Sequence, residues 1–114
     1  MTRPISIADA EHYTWGDACD GWHLLRSPDL SVVQERVPAG AGEVMHFHKL
    51  SCQFFYILEG EGTIALEQQE ITLHQGHGLE IAPGVLHRFC NRTLQDVVFL
   101  VISRLPSHGD RVDL

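Results

Sequence analysis

Apolar and polar positions along this chain alternate in short runs of four to eight residues, from Leu30 to Ser103. The runs are Leu30–Val37, Val44–His48, Gln53–Leu58, Gly62–Glu67, Ile71–His74, Gly78–Ile81, Leu86–Asn91 and Asp96–Ser103. Pro38-Ala39-Gly40, Glu59-Gly60-Glu61, Gln75-Gly76 and Pro83-Gly84 punctuate them. Short period-two runs bounded by turn residues predict β-strands, and this many at such regular spacing predict an antiparallel sandwich or barrel. No stretch has helical periodicity with caps, so an all-β fold with almost no helix is expected. The link Gln68-Gln69-Glu70 has no Gly or Asn to take a positive φ. A longer connection is expected there rather than a tight hairpin turn.

Two runs depart from alternation. If Gln53 faces inward, Phe55 and Ile57 do too, which leaves Phe54, Tyr56 and Leu58 facing out. Val97 to Ile102 is likewise apolar on both faces. A strand open to water on one side alternates, so both faces of these strands should be covered. In a small chain the cover is either the N-terminal arm, with Trp15 and Trp22, or a second copy, and a homodimer is favoured. The organisation expected is residues 1–29 as an arm with a first strand around Trp22-His23-Leu24-Leu25, 30–104 as the barrel, and 105–114 as a C-terminal tail.

The length of 114 residues fits one domain. A net charge of −7, with no basic stripe, argues against nucleic acid and anionic membrane surfaces as partners. No apolar run approaches a membrane span, and no signal-type region follows Met1-Thr2-Arg3, so the cytoplasm is expected. Cys19, Cys52 and Cys90 are odd in number and widely spaced, which predicts reduced thiols, two of them buried.

Eight histidines are the unusual feature of the composition. His46 and His48 lie two apart in a strand-like run, on one face and about 7 Å apart along it. Both can reach one metal ion at roughly 2.1 Å. They can equally be two polar positions on a solvated face. Gln53 opens the next run, and His87 follows the Pro83-Gly84 turn, so three imidazoles and one amide oxygen from three strands can converge inside a barrel.

The spacing of the whole set resembles the two motifs of the cupin family. Gly40, five residues, His46-x-His48, four residues, Gln53, six residues and Gly60 resemble the first motif. Gly76, five residues, Ala82-Pro83-Gly84, two residues, His87, three residues and Asn91 resemble the second. The family usually has Glu where Gln53 stands and Pro where Ala82 stands. The resemblance, to the small single-domain RmlC-like members, implies a double-stranded β-helix, or jelly roll. It also implies a divalent metal ion inside the barrel on His46, His48, Gln53 and His87, and a homodimer. Asn91 shares a face with His87 and is either a group that orients a ligand or a strand-end turn residue.

With Gln in place of Glu, a divalent ion keeps both its charges, which predicts a more electrophilic site with weaker metal affinity. Imidazole and oxygen ligands suit Fe, Zn, Ni, Mn or Cu, and the lack of a Cys ligand disfavours Cu(I). By strand parity the inward neighbours are Val44, Phe55, Ile57 and Phe89, which predicts a mostly apolar pocket with no evident general base. His12, His23 and His108 are expected at the surface or in loops, and His74 and His77 as solvated turn residues. Two function classes stand. One is a metal-dependent enzyme on a small molecule, of oxygenase or isomerase/lyase type. The other is a non-catalytic cupin that binds a metal or small molecule to sense or store it.

Overall fold

The computed structural model describes residues 2–106 and 109–114. Among them the regular elements are strands only: β1 (Glu11–Trp15), β2 (Cys19–Arg26), β3 (Leu30–Val37), β4 (His46–His48), β5 (Cys52–Glu59), β6 (Gly62–Ala65), β7 (Glu70–Leu73), β8 (Gly78–Ile81), β9 (Arg88–Cys90), β10 (Val97–Arg104) and β11 (Arg111–Asp113). One sheet has six strands in the order β1-β2-β3-β10-β5-β8. The other joins β7-β6-β9 to β4-β11 through the single bridges Gly42↔Cys90 and His46↔His87. Every pairing is antiparallel, and the strand order is that of the expected double-stranded β-helix.

Period-two burial builds this barrel. Along β10, Val97, Phe99, Val101 and Ser103 are buried, and the residues between them are not. The inward residues of the two sheets meet in one core, with Phe55, Ile57 and Phe99 from the first sheet against Ile64, Leu73 and Phe89 from the second. The rings of Phe89 and Phe99 stack at 4.0 Å between centroids, and Phe55 lies 6.0 Å from Phe89. Such a fully buried ring contributes about 3–5 kcal/mol against truncation to Ala.

Turns follow their chemistry. Gly60 has φ 84°, and a Cβ there would stand 2.6 Å from the Asp96 carbonyl oxygen, so only glycine fits. Residues 66–69 make the longer link expected between β6 and β7, closed by a bond from Leu66 N to the Gln69 oxygen at 2.8 Å. Asn91 proves to be a turn residue. Its amide donates to the carbonyls of Val37 and Gln95, and its oxygen accepts from Thr93 N.

Both ends of the chain carry more strand than their composition suggests. The arm forms two full strands, and β1 and β2 lie in the plane of the six-stranded sheet, with Trp22 opposite Gln34. In the tail, β11 pairs with β4, placing Val112 opposite Phe47 and Asp113 opposite His46. Because β1 and β2 extend the sheet sideways, they leave its outer face open. Phe54, Tyr56 and Leu58 are each more than a third exposed there. Ile102 and Leu100, opposite Phe54 and Tyr56, continue the apolar patch across β10. No helix among the described residues is long and apolar enough to cross a membrane.

Asn91 fills four hydrogen-bonding roles at 1% exposure. Asn91→Ala should therefore lower stability by about 2–3 kcal/mol by orphaning buried carbonyls. Thermal unfolding should show the loss, while metal content stays at the wild-type level, because the Asn91 side chain bonds to the 37 and 93–95 segments and not to the histidines.

Candidate metal centre

His46 and His48 project from β4 on its inner face, at 1% and 6% exposure. His87 precedes β9, and its backbone exchanges two bonds with His46: His46 N donates to the His87 oxygen at 3.0 Å, and His87 N to the His46 oxygen at 2.9 Å. That bridge brings the two imidazoles to 4.4 Å between centroids. His48 lies 5.2 Å from His46 and 6.0 Å from His87 by the same measure. One nitrogen from each ring can be chosen so that all three lie within 4.8 Å of one another, a group able to hold a metal ion. Gln53, at the start of β5, is buried nearby at 6% exposure, and its amide nitrogen donates to Ser103 Oγ at 3.2 Å.

The hydrogen bonds fix which atoms are free. A carbonyl can only accept, so the 2.8 Å contact of His46 Nδ1 with the Val44 oxygen puts the proton on Nδ1. The same holds for His87 Nδ1 and the Val85 oxygen at 2.9 Å. Each Nε2 then carries a lone pair. The His87 Nε2, the Gln53 Oε1 and the His48 Nδ1 are buried with no hydrogen-bond partner. Buried polar atoms are rarely left so, and several converging acceptors without donors fit a cation. Burial holds all three imidazoles below their ordinary pKa, His48 at about 4, which keeps them neutral and able to ligate.

His46, His48 and Gln53 open onto a cavity of about 320 Å³. Phe55, Val101, Tyr13, Trp15, His23 and Glu35 line it with them. Glu43 and Arg111 complete the wall. Two sequence expectations are corrected here. The cavity wall is mostly apolar, as expected, but it does hold groups able to carry protons, Glu35, Glu43 and Tyr13. Val44 does not face inward but is 53% exposed, and Glu43 takes the inner position. The reason is a bend at Met45, which breaks strand parity just before β4.

Glu35 follows β3 parity, with Ser31 and Val37 buried on the same face. That alternation was the available signal for it. Tyr13 donates its hydroxyl to Glu35 at 2.7 Å, crossing over Gly21, where a Cβ would stand 2.1 Å from the tyrosine ring. Burial, then the nearby Glu43 charge, pushes the Glu35 carboxyl up to about 8, against the bond from Tyr13 and the Arg111 charge. Burial, then Glu35, likewise raises the Tyr13 phenol. Tyr13 and Arg111 came from segments read as arm and tail, where no periodicity marked them.

The other histidines divide. His12 is exposed and pairs with Asp20 at 2.7 Å, and His74 is exposed and pairs with Glu61 at 3.2 Å. His77 is exposed and accepts from His74 N at 3.0 Å. His23 is not a surface group; it lines the cavity, with its ring 4.8 Å from that of Tyr13. Trp15 lines the same cavity rather than covering the outer face. The expectation for His108 lies outside the described residues.

Comparison with known proteins agrees with the fold. A protein of Methanocaldococcus jannaschii, itself called uncharacterized, is 31% identical over 89 residues, covering 77% of this chain and 71% of that one. The polyketide cyclase RemF from Streptomyces resistomycificus superposes with a TM-score of 0.88 at 17% identity, covering 100% of this chain and 86% of its own. A sugar phosphate isomerase of the cupin superfamily from Silicibacter pomeroyi superposes with a TM-score of 0.79 at 21% identity, covering 90% and 75%. The cupin domain model matches residues 33–103, which hold His46, His48, Gln53 and His87, and the chain belongs to the cupin family.

Proposed function

We propose that this cupin holds one divalent metal ion on His46, His48, His87 and Gln53 and uses it to act on a small enolisable carbonyl compound, with Glu35 as the proton-transfer group. The observation that carries this reading is that one cavity is lined by two imidazoles of the three-histidine cluster and by a part-buried carboxyl that burial pushes up to about 8. The ion, when bound, supplies a Lewis acid that polarises a carbonyl oxygen. Glu35 has the pKa suited to take a proton from carbon and return it, since proton transfer is most efficient when the pKa lies near the working pH. Tyr13 fixes the carboxyl and keeps one of its oxygens occupied. Phe55, Val101 and Trp15 supply apolar walls that exclude water. Acid–base groups opposite the ion site favour isomerase, lyase or cyclase chemistry over an oxygenase. The activities in the names of the two structural relatives, a cyclase and an isomerase, are in keeping with this. Three thiols without disulfide partners suit a reducing compartment, the cytoplasm.

The outer face of the six-stranded sheet supports a second proposal, that the protein is a homodimer. Phe54, Tyr56, Leu100 and Ile102 form one patch that no strand among the described residues covers. A copy related by a two-fold axis would bury the same patch on both sides.

Three outcomes are expected. First, protein as isolated should hold about one equivalent of metal by elemental analysis, and His46→Ala and His48→Ala should lose it while keeping their β-sheet CD signal. With metal, the wild type should speed deuterium uptake from solvent into members of a panel of enolisable ketones. Glu35→Gln should slow it at least ~100-fold with metal content unchanged. Full metal in both His variants would sink the site. Metal without any exchange on the panel would leave a binding protein instead of an enzyme.

Second, the Glu35 carboxyl has a folded pKa, about 8, above its ordinary 4.5. Its contribution to stability is present below the unfolded value and is lost as pH rises through the folded one. In chelator-stripped protein, the Tm of Glu35→Gln minus that of the wild type should therefore grow from pH 5 to 8 and level off above. The gain should be several degrees, about 4 °C for each kcal/mol in a domain of this size. A difference that does not change with pH would place Glu35 in a wet, ordinary environment.

Third, sedimentation of the wild type at micromolar concentration should give a dimer, and Tyr56→Asp should shift it to monomer. A monomeric wild type removes the dimer and leaves the metal site untouched.

A further inference from the structure

We propose that Glu43 supplies the carboxylate which position 53 lacks: it enters the metal centre from the loop before β4, and Arg111 holds it when no ion is bound. This deepens the metal-site reading above and rests on it.

The starting point is charge. Three neutral imidazoles and a neutral amide leave both charges of a divalent ion uncompensated in a buried place, where isolated charge is costly. Glu43 is the acidic residue that touches the cluster. Its Oε2 stands 3.9 Å from His46 Nε2, and its side chain is 13% exposed. That distance is beyond a hydrogen bond, so no proton is shared across it. With the His46 proton fixed on Nδ1, its Nε2 lone pair faces a carboxyl oxygen, whose charged form burial opposes and Arg111 favours. A cation between the two would favour the carboxylate and attract both. Two donors of one ion, each at about 2.1 Å, stand roughly 3–4 Å apart. The observed gap falls in that range.

The carboxylate is held by the backbone. Glu43 N donates to the Phe89 oxygen at 2.8 Å, and Phe89 N donates back to Glu43 Oε1 at 3.1 Å. Only Oε2 is left to turn. This close approach of residues 42–43 to β9 depends on Gly42, where a Cβ would stand 2.9 Å from the Phe89 oxygen and 2.7 Å from Cys90 Cβ. On its other side, Oε2 meets Arg111 Nη1 at 3.3 Å. Arg111 is also bound through Nε to Asp113 at 2.6 Å, so it keeps a partner if Glu43 turns to an ion. The competing account is that Glu43 and Arg111 are a structural ion pair closing the barrel, with no part in metal binding.

Metal titration separates the two. The full chain is stripped with chelator, loaded with Zn²⁺ under calorimetry, and loaded separately with Co²⁺ under visible spectroscopy. Glu43→Gln keeps the side-chain volume and the bond from Phe89 N. It should weaken Zn²⁺ binding by about 10- to 100-fold, the loss typical when a group supporting a metal is removed. It should also change the Co²⁺ absorption bands. Adding Gln53→Glu to Glu43→Gln should restore affinity by returning a carboxylate from the opposite side. Arg111→Met, which frees Glu43 from its competitor, should tighten binding, and it stands as the test if Glu43→Gln fails to fold. If Glu43→Gln binds Zn²⁺ within threefold of the wild type with the same Co²⁺ spectrum, Glu43 is only a structural partner of Arg111 and the proposal falls. Unchanged affinity in Arg111→Met overturns it as well. If the wild type takes up no stoichiometric Zn²⁺ or Co²⁺, the metal-site reading fails first and takes this proposal with it.

Discussion

The antiparallel bridge between His46 and His87 is the contact on which the rest of the site depends. Each residue gives its N–H to the other's carbonyl, at 3.0 and 2.9 Å. Each ring then turns its Nδ1 back to the carbonyl two residues before it, Val44 for one and Val85 for the other. The two halves of the site are thus built the same way from two distant stretches of chain. This pair of backbone bonds, with the Gly42–Cys90 bridge, joins the short sheets into one and leaves two Nε2 lone pairs beside each other. Neither ring has rotational freedom left to avoid this. The backbone enforces a cluster of acceptors, and a cation is what makes such a cluster favourable.

Placing that cluster in a small barrel costs the core some of its apolar volume. Three imidazoles and one amide occupy one end, so the Phe55, Phe89 and Phe99 stack carries the hydrophobic load at the other. The Phe55 ring meets the His87 ring edge-on at 6.0 Å and marks the boundary between the two regions. Above the cluster, Glu35 escapes the cost of a buried charge by staying protonated with a hydroxyl donor, and Glu43 escapes it by pairing with Arg111. Burial raises both carboxyls above their ordinary pKa, with the Arg111 charge pulling the other way at each.

The barrel from residue 30 to 104 was legible in the sequence because period-two burial and glycine turns are local signals. Gln53, Phe55 and Ile57 face inward as their spacing requires, and Phe54, Tyr56 and Leu58 face out. The parts that escaped notice are those where the signal is not local. Glu43 was hidden because a single bend at Met45 reverses the parity counted back from His46, which gives Val44 the inner position on paper and the outer one in space. The β1 strand declares itself only by pairing across Gly16 and Ala18, both at positive φ. The three residues of β11 are ordered by β4, some sixty positions away, and by Asp110, whose carboxylate accepts from the backbone N–H groups of Lys49, Leu50 and Ser51. Neither strand has an amphipathic run of its own to read.

This division has a chemical side. The segment shared with the family, 33–103, carries all the residues that can hold the ion, together with Glu35 and Glu43. Tyr13, Trp15, His23 and Arg111, which line the same cavity, all lie outside it. The candidate ligands and both carboxyls thus come from the inner barrel, and the added edge strands supply the rest of the cavity wall. Tyr13 reaches Glu35 only because Gly21 leaves a gap in β2 for its ring. A change at position 21 would disconnect the phenol from the carboxyl without touching either one. The acidity of Glu35 is thus set from two directions: burial and the Glu43 charge raise its pKa, while the bond that the N-terminal strand brings from Tyr13 pulls it down.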